Sequence, residues 1–97
     1  MHKVTQARNQ ISPLLDQLIT ELDADGAATQ KAYFNRVRGH LSGATDELEL
    51  TATIVELSSC TAMGFKLSNT ADAILARILE KVSTLIDVLE GETPSIH

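Results

Sequence analysis

The segment ATDELELTATIVELSSCTAM, residues 44–63, decides the fold. Its stretch ELELTATIVEL alternates apolar and polar residues for several positions, as a strand would. Its length, its acidic opening at Asp46 and Glu47, and its continuation through SSCTAM predict a helix instead. On a helical wheel the apolar residues then go nearly all round. Leu48, Ala52, Val55 and Ala62 point one way, while Leu50, Ile54 and Leu57 point the opposite way. Only Glu49 and Glu56 mark a clear solvent edge. A helix apolar on every side needs neighbours on every side. The expectation is a helix that touches its own bundle on one face and a second chain on the other, with Leu50, Ile54 and Leu57 forming a homodimer interface.

The flanking segments carry plainer helical patterns. Toward the C-terminus, residues 71, 75, 78, 82, 85 and 89 form a heptad seam (Ala71, Leu75, Ile78, Val82, Leu85, Leu89) within an apolar arc of roughly 140°. Ser68 or Asn69 caps the start, Asp72 suits the first turn, and Gly91 followed by Pro94 suits the stop. A helix over about 69–90 follows, and this seam is a candidate to assist the dimer. Near the N-terminus, Ile11, Leu14, Leu15, Leu18, Ile19 and Leu22 fill an arc of the same width, and Val4 and Ala7 extend it upstream. Pro13 interrupts that pattern. It either opens a new helix capped by Ser12 or kinks a longer one over about 3–23, and the upstream apolar residues favour the kink. DADGAAT then supplies the turn. Phe34, Val37 and Leu41, with Tyr33 at the edge, predict a second helix over about 28–41 that Ser42 and Gly43 loosen or end.

Composition agrees. The chain has 97 residues, enough for one small domain, and 43% of them are hydrophobic. Tyr33, Phe34 and Phe65 are its aromatic residues, so the core is aliphatic, which suits a bundle. The fold class expected is all-α, a single up-and-down four-helix bundle spanning 1–97, homodimeric because so small a core gains from self-association. A net charge of −5 argues against nucleic acid, whose affinity comes largely from phosphate contacts. No run of roughly 18 apolar residues spans a membrane and no signal-like segment opens the chain, so the cytoplasm is the expected compartment. Cys60, lone among small neighbours, reads as core packing.

Candidate chemistry centres on RVRGHLSG, residues 36–43. Positions 26–45 contain no acid, so Lys31, Arg36, Arg38 and His40 form a candidate surface for docking an acidic protein partner. The segment also resembles histidine-containing phosphotransfer domains, four-helix bundles in which an exposed helix histidine followed by a pattern like H-x-x-K-G accepts a phosphoryl group. That resemblance implies a phosphoryl-accepting role for His40. Here the run is His40, Leu41, Ser42, Gly43: the glycine comes one residue early and the lysine is missing. Asp46 with Glu49, and Asp87 with Glu90, are acid pairs three residues apart that could share a divalent cation, as in helical nucleotide pyrophosphohydrolases, although that family's pattern carries more glutamates. A di-iron bundle needs Glu-x-x-His, and Val37 stands three residues before His40. The remaining histidines, His2 and His97, lie at the chain ends. The functional expectation is a small, non-catalytic interaction or regulatory protein acting as a homo-oligomer, without a cofactor. Phosphotransfer through His40 and metal-dependent nucleotide hydrolysis at Asp46 and Glu49 are the alternatives.

Overall fold

The computed structural model describes residues 2–91. They form four helices: α1 (His2–Ala24), α2 (Ala28–Gly43), α3 (Glu47–Ser58), prolonged by a 3₁₀ turn over Ser59–Met63, and α4 (Asn69–Gly91). Among the described residues there is no strand, so the alternation in ELELTATIVEL yields to the helical reading. No helix among them is long and apolar enough to cross a membrane.

Each boundary has a local cause. Gly26 ends α1 in the left-handed conformation (φ 72°), with Ala27 N–H donating to the Leu22 carbonyl at 2.9 Å and Gly26 N–H to that of Asp23 at 3.2 Å. This is the paired closure of a helix C-terminus that glycine permits without strain. Asp46 caps α3, its Oδ1 accepting from Glu49 N–H at 2.8 Å. Glu49 turns back so that its Oε1 accepts from both the N–H (2.9 Å) and the hydroxyl (2.6 Å) of Thr45. Ser68, not Asn69, caps α4 through Ala71 N–H at 3.2 Å. Helix α4 reaches Gly91; Pro94 and the side chains of Leu89 and Glu90 lie outside what is described.

Pro13 lies inside a continuous 23-residue α1, so the longer-helix alternative holds and Ser12 opens no new helix. Pro13 and Asn9, whose carbonyl loses its donor, are both exposed residues. Because the helix is unbroken, Val4 and Ala7 share the buried stripe of Ile11, Leu14, Leu15, Leu18 and Leu22.

Helix α1 packs chiefly on α4 and α2, while α3 rests on α2, with lighter contacts to α4 and α1. Helices α1 and α2 are antiparallel: Asp23 meets Lys31, Asp16 meets Arg38, and Arg8 donates to the Ala44 carbonyl. The molecule is elongated, 48 × 25 × 17 Å. All three aromatic rings join beneath the 3₁₀ turn, edge to face, with centroids 5.0–6.0 Å apart. Cys60 is buried beside them, and burial pushes its thiol pKa up.

Two expectations about assembly are corrected here. Leu50, Ile54 and Leu57, assigned from sequence to a subunit interface, lie in the core of the chain itself. The α4 seam from Ala71 to Leu85 is likewise turned inward. The outward face of α3 is the other one: Leu48 is 80% exposed and Val55 59%, with Ala52 open between them. The side chains explain the choice. Taken as sets, Leu50, Ile54 and Leu57 bury more carbon than Leu48, Ala52 and Val55 would, at about 0.8 kcal/mol for each buried methylene, and the small Ala52, Ser59 and Ala62 fall on the side left outside.

Candidate functional site

Helices α2 and α3 diverge enough to leave an open groove of about 600 Å³. Gly39, His40 and Gly43 line one side; Glu49, Ala52, Thr53, Val55 and Glu56 line the other. The two glycines lack a Cβ in open space, which keeps the α2 wall low. Thr53 turns its hydroxyl to the Glu49 carbonyl at 3.0 Å, so this buried polar group is satisfied within its own helix.

Glu56 is the hub of the groove. Positions 33, 36 and 40 share one face of α2 by helical spacing, and all three side chains reach Glu56. His40 Nδ1 lies 2.8 Å from Glu56 Oε1, Arg36 Nε lies 3.4 Å from Oε2, and the Tyr33 hydroxyl donates to the Glu56 backbone carbonyl at 2.5 Å. The Arg36 guanidinium also sits 5.5 Å from the Tyr33 ring centroid. Burial, the largest cause, pushes the Tyr33 phenol pKa up, and neighbouring Cys60 and Glu56 add to it. The Glu56 carboxylate thus occupies the Nδ1 side of the His40 ring and leaves Nε2 outside the contact.

The expected basic cluster divides in two. Lys31 pairs with Asp23 at 2.7 Å, and Arg38 grips Asp16 through two nitrogens while donating to the Ser42 hydroxyl at 3.0 Å. These two cations face α1; Arg36 and His40 face α3. Lys31, Arg36, Arg38 and His40 therefore do not share one docking surface. The Arg38 hydrogen bond holds the Asp16 carboxyl below its usual range.

The carboxylates of Asp46 and Glu49 are engaged in capping α3, and the hydrogen bonds from Thr45 hold the Glu49 carboxyl below its usual range. Among the described residues no group of three or more His, Cys, Asp or Glu side chains is placed to hold a metal ion. Sequence reading missed Glu56 as a hub. The signal was present in the spacing of Tyr33, Arg36 and His40, but the partner helix that meets this face is set by tertiary packing. No protein-family model, no curated protein and no solved structure matches the chain.

Proposed function

We propose that the protein is a small, non-catalytic interaction protein that assembles with itself through the outward apolar face of α3. One observation carries this reading. Among the described residues the exposed large hydrophobics are Leu48, Val55 and Met63, all on α3 and its 3₁₀ extension. Scattered exposed hydrophobics are ordinary, but several on one element form a patch of the kind that marks an interaction site. Covering it in a second subunit also extends the small core that one chain can build. The buried, unpaired thiol of Cys60 suits a reducing compartment, and the cytoplasm is the proposed location. A further protein partner would engage the Arg36–His40 end of the groove.

The test is light scattering on the intact chain from about 1 μM to 1 mM, a range that brackets the affinity of a modest interface. Mass should rise with concentration in the native protein and stay monomeric in Leu48→Glu/Val55→Glu, with helical circular dichroism unchanged. A native protein monomeric throughout refutes the reading.

Phosphoryl transfer through His40 is the second reading, supported by the free Nε2 that the Glu56 contact leaves. It is the weaker one, because Glu49 and Glu56 both line the groove and repel phosphoryl oxygens. Acetyl phosphate should leave an acid-labile adduct that His40→Ala abolishes; absence of that adduct removes it.

A further inference from the structure

The α3 surface has a charge polarity along its length. Its N-terminal end carries Asp46, Glu47 and Glu49. Its C-terminal half is flanked by the Arg36 guanidinium and the His40 ring, supplied from α2 and gathered around Glu56. Between the two ends lies the apolar row Leu48, Ala52, Val55.

We infer that two copies pair antiparallel about a twofold axis that runs between the two α3 helices, perpendicular to them and level with Thr51 and Ala52, and that Glu49 of each copy meets Arg36 of the other. This rests on the proposed self-assembly through α3 and specifies its geometry. An isologous contact requires one patch to complement itself. The axis does so for the apolar row: it sets Leu48 against the partner's Val55 at both ends and leaves Ala52, a small side chain, near the centre, where the helices approach most closely. The same operation puts the groove sides of the two α3 helices on the same flank of the interface. It therefore carries Glu49, at one end of the groove, onto the Arg36 and His40 end of the second copy.

Arg36 is free to make that contact. Its side chain is 60% exposed, and its link to Glu56 is long at 3.4 Å. A parallel pairing fails on the same criterion, since it stacks the two acidic N-terminal turns side by side. Like charges so placed oppose association, the more so between chains that each carry a net charge of −5.

Charge reversal on the full-length chain tests this geometry by sedimentation equilibrium. Glu49→Arg alone and Arg36→Glu alone should each weaken the dimer about tenfold, and the two combined should restore it to within a few-fold of native. In a Cys60→Ser background, Ala52→Cys near the axis should oxidise to a covalent dimer. Thermal melts identify any variant that loses the α3 cap rather than the contact. If dimers form and the Leu48→Glu/Val55→Glu pair disrupts them, yet reversal gives no restoration and Ala52→Cys no cross-link, the antiparallel arrangement is wrong while self-assembly through α3 stands. If the native chain does not dimerise, or that apolar pair leaves dimers intact, the underlying proposal fails and this inference with it.

Discussion

Alanine at Ile54 and at Val55, introduced one at a time, probes the two faces of α3 through adjacent residues. Ile54 is 2% exposed and packs in the core; Val55 is 59% exposed. Ile54→Ala removes three carbons from a close-packed site. At about 0.8 kcal/mol for each, with a further contribution from the cavity left behind, the expected loss is about 3 kcal/mol. For a domain of this size that lowers Tm by roughly 15 °C. Val55→Ala, in a dilute and dissociated sample, should cost no more than about 0.5 kcal/mol. At high concentration the same variant should lose more, because the dimer stabilises the folded state by mass action and Val55 is part of the contact. Thermal or urea unfolding followed by circular dichroism, at a low and a high protein concentration, measures all four values. Equal costs for the two variants at low concentration would show that the faces of α3 are misassigned, and a Val55→Ala cost independent of concentration would count against its place in an interface.

Three other perturbations follow from local chemistry. Pro13→Ala should raise stability by about 1–3 kcal/mol, because the exposed ring withholds a donor from a continuous helix; a loss on substitution would mean that the proline's geometry is needed for α1 to follow α4. Asp46→Ala should cost about 1 kcal/mol and Asp46→Asn much less, since either native carboxylate or amide oxygen can cap Glu49 N–H; a neutral Asp46→Ala in thermal melts would discount the cap. Asp16, whose carboxyl Arg38 holds below its usual value near 3.8, contributes stability that is present above that value and lost as pH falls through the lower folded-state value. Both side chains are partly exposed, which limits the contribution to at most about 1 kcal/mol. Arg38→Met should therefore flatten the acid limb of a stability–pH curve measured by urea denaturation, and an unchanged limb would show the pair to be inert.

Much of this architecture is legible in the chain itself. The stripes of α1 and α4 have a helical period, and the stop and start signals at Gly26, Asp46 and Ser68 act through bonds to residues within five positions. Such local chemistry needs no knowledge of the neighbours. Within residues 44–63 the α-helix begins at Glu47 and closes as a 3₁₀ turn over Ser59–Met63. That most of this segment is helical, and that it has two opposed apolar faces, also follows from order alone. Which face turned inward did not. That depends on how much volume α1, α2 and α4 leave between them, and Leu50, Ile54 and Leu57 fill it better than Leu48, Ala52 and Val55. The basic residues of α2 behave the same way: their proximity along the chain was visible, but their division between Asp16 and Asp23 of α1 and Glu56 of α3 came only with the packing. Period and caps are properties of a single helix and are written in its residues; the choice of face and of ion partner is a property of helices together, set by the space and charge each presents to the next.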